Sequence, residues 1–217
     1  MQIFDAKPLI YLITKGDLTP ENFREKASET LLIIAAAVRA QVSLIQIREK
    51  SLTAGQVFEL VSKAARLTKN SNTRLVVNDR ADIARAARAD GVHLAANSLP
   101  AGIIRAHFGE DFIIGVSSHN REEVEEAKRA GADFATFSPI FATASKAKYG
   151  APQGASKLRE VVEAAEDFPV IALGGIDESN FTEALRAGAK GIAAIRLLND
   201  TRRLMEIAGK IFTFRNS

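Results

Sequence analysis

Gln46, Arg48 and Lys50 occupy alternate positions of the segment QIREK. In an extended chain their side chains therefore point one way, while Ile45, Ile47 and Glu49 point the other. Two cations brought together beside a buried strand are costly unless an anion compensates them. A phosphate or pyrophosphate suits the planar fork of an Arg next to the point charge of a Lys. The competing arrangement is a pair of surface cations salt-bridged to neighbours such as Glu49. Asn78 and Asp79 close a second apolar run, Leu75 to Val77, and put a hard oxygen donor near those cations. Magnesium usually takes one or two carboxylates together with phosphate oxygens and water, which makes Asp79 a candidate ligand. A helix N-cap for the stretch that starts at Ala81 is the alternative use of the same residue.

Further polar residues follow other apolar runs. Ser117, Ser118 and His119 come after the fifth, and Thr143, Ser145 and Lys146 lie in the segment after the sixth. Gly174, Gly175 and Ile176 follow the seventh and precede a helical pattern, where glycines let backbone N–H groups approach an anion. Ile195 and Arg196 close the eighth, and Arg196 either adds an anion contact or pairs with an acidic neighbour such as Asp200. His93 and His107 read as structural or surface residues. His119 follows Ser117 and is a candidate for proton transfer.

The elements that must carry these residues are legible as an alternation. Strand-length apolar runs recur eight times: Pro8–Thr14, Leu44–Arg48, Arg74–Asn78, Gly91–Leu94, Phe112–Val116, Phe134–Ser138, Val170–Leu173 and Gly191–Arg196. Each is followed by a helical pattern, the first Glu21–Ala40 and the last Thr201–Phe214. Strands without a polar face imply burial on both sides, as in a parallel sheet covered by helices. The count predicts a single α/β domain over residues 1–217, a (β/α)8 TIM barrel with its site at the C-terminal ends of the strands. The segment Pro139–Gly154 is expected to be a mobile loop over that site.

Composition removes several alternatives. With no Cys, disulfides and thiolate chemistry are excluded. A net charge of +3, from 29 basic and 26 acidic residues interspersed along the helices, gives no localised stripe for nucleic acid and suits anionic metabolites. The longest apolar run, Leu31–Val38, is too short to cross a bilayer, and Met1–Lys7 lacks the pattern of a signal segment. A soluble cytoplasmic protein without a membrane partner is the expectation. No exposed apolar stripe identifies a protein partner or an oligomeric state.

The segments QIREK, VNDRADIARAARADGVHL (77–94), GVSSH (115–119), SPIFATASK (138–146) and ALGGI (172–176), taken together and in order, resemble the thiamine phosphate synthases. The resemblance implies an enzyme that joins 4-amino-2-methyl-5-hydroxymethylpyrimidine pyrophosphate to a thiazole phosphate and releases pyrophosphate. It implies that Gln46, Arg48, Lys50, Asn78, Ser117 and Lys146 hold the pyrimidine pyrophosphate. Arg48, Lys50 and Lys146 would act as electrostatic catalysts, and Asp79 would bind Mg2+. Thr143, Ser145 and Gly175, with Ile195 and Arg196, fall to the thiazole phosphate. Where the family usually carries a second magnesium carboxylate this chain has Ser98, and where it usually carries Ser this chain has Arg196. Thiazole tautomerase, a related barrel of the same pathway, is the alternative activity, with His119 as acid and base. A phosphate-binding paralogue without catalysis is a third reading.

Overall fold

Val, Ile and Leu runs with no polar face form strands covered on both sides, and here the covering is complete because the sheet closes on itself. The computed structural model describes residues 8–142 and 151–214. Eight parallel strands pair in chain order: β1 Leu9–Ile13, β2 Leu44–Ile47, β3 Arg74–Asn78, β4 Gly91–Leu94, β5 Ile113–Ser118, β6 Phe134–Phe137, β7 Val170–Leu173 and β8 Gly191–Ala194, with β8 back against β1. The helices that follow them are α1 Phe23–Arg39, α2 Ala54–Thr68, α3 Ala81–Ala86, α4 Ala101–Phe108, α5 Arg121–Arg129, α6 Gly154–Ala165, α7 Phe181–Arg186 and α8 Leu204–Phe212. The expected (β/α)8 barrel is thus present, with two shifts that matter for the site. β5 continues through Ser117 and Ser118, so these belong to the strand and not to its loop. β8 stops at Ala194, which leaves Ile195 and Arg196 beyond it.

Period-two alternation divides the strand residues between two cores. Residues of one parity, among them Tyr11, Leu44, Val76, Ile113, Phe134 and Ile171, fill the barrel interior. Residues of the other parity, such as Ile45, Val77, Ile114 and Phe137, pack outward against the helices. The N-terminal ends of the strands are pinned by a repeated device. Asp90, just before β4, accepts from Leu75 N–H through its carboxylate at 2.7 Å and donates its own N–H to the Leu75 carbonyl at 2.8 Å. Asp133, just before β6, makes the same pair of bonds with Ile114, at 2.7 and 2.8 Å. Arg105 of α4 secures that second joint, donating to Asp133 and to the Gly131, Gly109 and Phe112 carbonyls.

Candidate active site

Parity also identifies what faces the mouth. Gln46 continues the inward row of Leu44, Asn78 that of Val76, Ser117 that of Ile113 and Thr136 that of Phe134. His93 joins them from β4, with its ring 5.8 Å from those of both Tyr11 and Phe134. Five adjacent strands, β2 to β6, therefore carry a polar inward residue near their C-terminal ends. On β7, at the end of β8 and on β1 the corresponding residues are Leu173, Ile195 and Ile13, which pack with the inner apolar cluster. The upper layer of the barrel interior is polar on one side and greasy on the other.

Above Gln46 the chain turns out of β2 with Arg48 half-buried and Lys50 exposed. The intervening Glu49 is buried and points away, its two carboxylate oxygens accepting from Gly16 N–H at 3.1 Å and Leu18 N–H at 3.0 Å. Glu49 thus holds the β1–α1 loop and is not the counter-ion of its neighbours, so the alternative of cations paired to Glu49 is set aside. The Arg48 guanidinium lies by the β1–α1 loop, with Nη1 3.8 Å from where a Cβ on Gly16 would stand, and its positive charge acts on His93. Burial first, and then this positive charge, lower the His93 pKa from 6.5 to about 3, so the imidazole is neutral at physiological pH.

His93 is the residue that sequence reasoning underrated. It is 3% exposed and bridges two partners: its Nδ1 lies 3.1 Å from the Tyr11 hydroxyl and its Nε2 3.0 Å from Ser117 Oγ. Gly115 makes this packing possible, because a Cβ there would stand 2.3 Å from Phe134 Cζ and 2.6 Å from His93 Nδ1. Thr136 was missed as well. Its Oγ1 and the Gln46 Nε2 are buried without a hydrogen-bond partner, although both lie on the inward face. Unpaired buried polar atoms are costly, which makes this layer unlike an ordinary apolar core.

Asn78 ends β3 and Asp79 follows directly after it. Asp79 adopts φ of +62°, uncommon for a residue with a side chain, and its N–H donates to the His93 carbonyl at 2.9 Å. Its carboxylate is exposed and does not cap α3, whose N-cap is Arg80 without a side-chain cap bond, so the capping alternative falls. The Ser98 hydroxyl accepts from Ala95 N–H at 2.7 Å and closes the turn after β4. Among the described residues no cluster of three His, Cys, Asp or Glu side chains could cage a metal by itself.

At the opposite rim, Gly174 and Gly175 have φ of +96° and +67°, and a Cβ on Gly175 would lie 2.5 Å from the Phe141 carbonyl oxygen. These glycines admit the chain leaving β6, whose Ile140 and Phe141 N–H groups donate to the Leu173 and Gly174 carbonyls at 3.0 and 2.9 Å. Thr143, Ser145 and Lys146, and with them the middle of the expected mobile loop, lie outside the described residues. The helix expected soon after the glycines begins only at Phe181. An intervening turn is fixed by Asn180, which donates to the Gly175 carbonyl at 2.8 Å and accepts from Asp177 N–H at 2.9 Å. Ser179, chiefly, and Arg196 through its charge hold the Asp177 carboxyl below the usual range. Asp200, the suggested partner of Arg196, accepts instead from the Arg202 N–H at 3.0 Å. His119 is exposed; its Nδ1–H donates to the Ser138 carbonyl at 2.7 Å, and its carbonyl accepts from Gln153 Nε2.

A polar layer on five neighbouring strands beneath two cations, at the C-terminal face of a (β/α)8 barrel, marks the chain as a barrel enzyme of phosphorylated small molecules. The family model described as thiamine monophosphate synthase matches residues 10–198, and the chain belongs to that family. The thiamine-phosphate synthase of Chlorobium phaeobacteroides is 38% identical over 196 residues, 90% of this chain and 90% of that protein. That of Haloarcula marismortui is 36% identical over 189 residues, 86% of each chain. Among solved structures, the thiamine phosphate pyrophosphorylase from Pyrococcus furiosus superposes with a TM-score of 0.76 at 29% identity, covering 94% of this chain and 96% of that one.

Proposed function

We propose that the protein condenses 4-amino-2-methyl-5-hydroxymethylpyrimidine pyrophosphate with a thiazole phosphate to give thiamine phosphate and pyrophosphate. The observation that carries this reading is the inward row Gln46–Arg48, with Lys50 next in the alternation. It puts a neutral amide deep in the barrel and positive charge at its rim, on a chain of the synthase family. A substrate with a neutral heteroaromatic ring and a pyrophosphate fits that order of groups. In the reaction the bond from the pyrimidine methylene carbon to the pyrophosphate oxygen breaks with its electron pair leaving on oxygen. The thiazole nitrogen then supplies the pair that forms the new C–N bond. Arg48 and Lys50, joined by Lys146, stabilise the negative charge that develops on the departing pyrophosphate. Gln46, Asn78 and Ser117 orient the pyrimidine. Thr143, Ser145, Gly175, Ile195 and Arg196 hold the thiazole phosphate.

The donors among the described residues suit a magnesium ion that arrives with the pyrophosphate. Asp79, with an exposed carboxylate at the end of β3, would hold it, and Ser98 would contribute a hydroxyl oxygen that already accepts from Ala95. When bound, the ion neutralises charge on the leaving group. A cytoplasmic reaction is part of this reading, because phosphorylated substrates do not cross membranes unaided; among the described residues no helix is long and apolar enough to cross a bilayer. The test is formation of thiamine phosphate by the purified protein from the two substrates, with magnesium and with a chelator. Magnesium-dependent product is expected, with a loss of roughly a hundredfold or more in kcat/KM for Arg48→Ala. A folded protein that makes no product but isomerises the carboxythiazole phosphate would replace this reading with the tautomerase.

A further inference from the structure

Tyr11, His93 and Ser117 form a chain that runs from the sealed interior of the barrel to its mouth. We propose that this chain has a fixed direction, with Tyr11 donating to His93 Nδ1 and His93 Nε2–H donating to Ser117 Oγ, so that the Ser117 hydroxyl proton is presented to an acceptor atom of the substrate. His93 is then a positioning residue that acts through Ser117. The inference rests on the synthase reading only for the identity of that substrate.

The direction follows from counting donors. Tyr11 is 0% exposed, and the one side-chain partner of its hydroxyl among the described residues is His93 Nδ1 at 3.1 Å. A buried phenol has one proton and must place it on an acceptor. If Nδ1 carried a proton, the imidazole would donate to the phenol oxygen and leave the phenol O–H with no acceptor, the costly case for a buried donor. An unprotonated Nδ1 accepts that proton and, in a neutral ring, sends the ring's only N–H to Nε2, which lies 3.0 Å from Ser117 Oγ. Ser117 thus receives a hydrogen bond from below. Among the described residues its own proton has no other acceptor: Thr136, directly across in register, has its Oγ1 unpaired, which excludes a bond between them. Gln46 Nε2, on the same face, is buried and unpaired. Ser117, half-buried, is the donor that reaches the mouth, and the matching chemistry is an acceptor atom, a ring nitrogen or a phosphate oxygen. The packing supports a rigid chain, since Phe134 meets the Tyr11 ring edge-on at 85° and 5.6 Å and flanks the imidazole at 5.8 Å.

Nitrogen NMR of 15N-histidine-labelled protein without ligand reads the direction independently of any activity. Of the three histidines, the His93 signals are assigned by their loss in His93→Gln. His93 is expected to show an unprotonated, pyridine-type Nδ1 and a protonated, pyrrole-type Nε2; a protonated Nδ1 overturns the proposal. The ligand end is read by calorimetric titration with the pyrimidine pyrophosphate, and in parallel with inorganic pyrophosphate. Tyr11→Phe and Ser117→Ala should each weaken binding about five- to tenfold, and the double variant should be no weaker than Ser117→Ala alone. Losses that multiply in the double variant would show that Tyr11 does not act through Ser117. A Ser117→Ala loss for the pyrimidine pyrophosphate alone identifies a ring nitrogen as the acceptor, and a loss for both probes identifies a phosphate oxygen. Parent protein that binds neither probe refutes the synthase reading and the ligand end of the chain together, while the tautomer still decides its interior end.

Discussion

A neutral imidazole sealed inside the barrel has a consequence for stability. Below pH 6.5 an unfolded chain protonates His93, whereas the folded barrel refuses that proton until about pH 3. The unfolded state therefore binds more protons throughout that window. Stability is fully present above pH 6.5 and falls as the pH drops toward 3, by something on the order of a few kcal/mol over the whole interval. Urea unfolding between about pH 7 and about pH 5 should show a steeper acid loss for the parent than for His93→Gln; equal slopes would contradict a neutral His93. The alternation that singles out Gln46, Arg48 and Lys50 was as available for GVHL and FATF, where it selects His93 and Thr136. Those two were not legible for a different reason: a lone polar residue inside a short apolar strand does not tell which face is the barrel lumen until the sheet has closed. Asp79 shows the reverse. Its place at a strand end was plain, but its left-handed backbone, which removes it from capping duty, is not written in any local pattern.

At the scale of elements, the strand and helix alternation was legible because every strand is buried on both faces and every helix keeps a charged face. The ends were less so. β5 runs on to Ser118 because its last residues pair with β6, Ser117 opposite Thr136 and Ser118 opposite Phe137, a tertiary contact that local hydropathy does not carry. α7 starts late because Asn180 is engaged with the Gly175 carbonyl and the Asp177 N–H before the helix can begin. Packing between β4, β5 and β6 makes a sharp prediction. A methyl group at Gly115 would overlap Phe134 and His93, both buried. Gly115→Ala should cost about 1–3 kcal/mol as overpacking. It should also push the imidazole off its two partners, which thermal unfolding and the histidine nitrogen spectrum would report together. A variant with the parent's melting point and spectrum would mean that β5 yields easily.

Closure of the sheet is a property of the whole molecule, and the sequence carried it only as a count of eight units; the pairing of β8 with β1 is what makes the lumen, and with it the site, exist. If Asp79 and Ser98 are the magnesium donors, as proposed above, ligand and ion should stabilise the fold jointly. Pyrophosphate with magnesium at a hundred times its dissociation constant should add about 2.7 kcal/mol, and pyrophosphate with chelator much less. Ser98→Asp should enlarge the magnesium-dependent part of that melting shift; no enlargement would place residue 98 away from the ion. The opposed parity of Arg48 and Glu49 carries one more implication. Both charges occur within one short stretch, and only odd–even position assigns the cation to the row of Gln46 while the anion holds the β1–α1 loop. Deleting a single residue from β2 would put Glu49 in that row and Arg48 out of it, reversing the charge beside the barrel mouth with almost no change in composition. During divergence this strand can accept exchanged letters but not a change of its length by one, whereas the loops around it are free to grow.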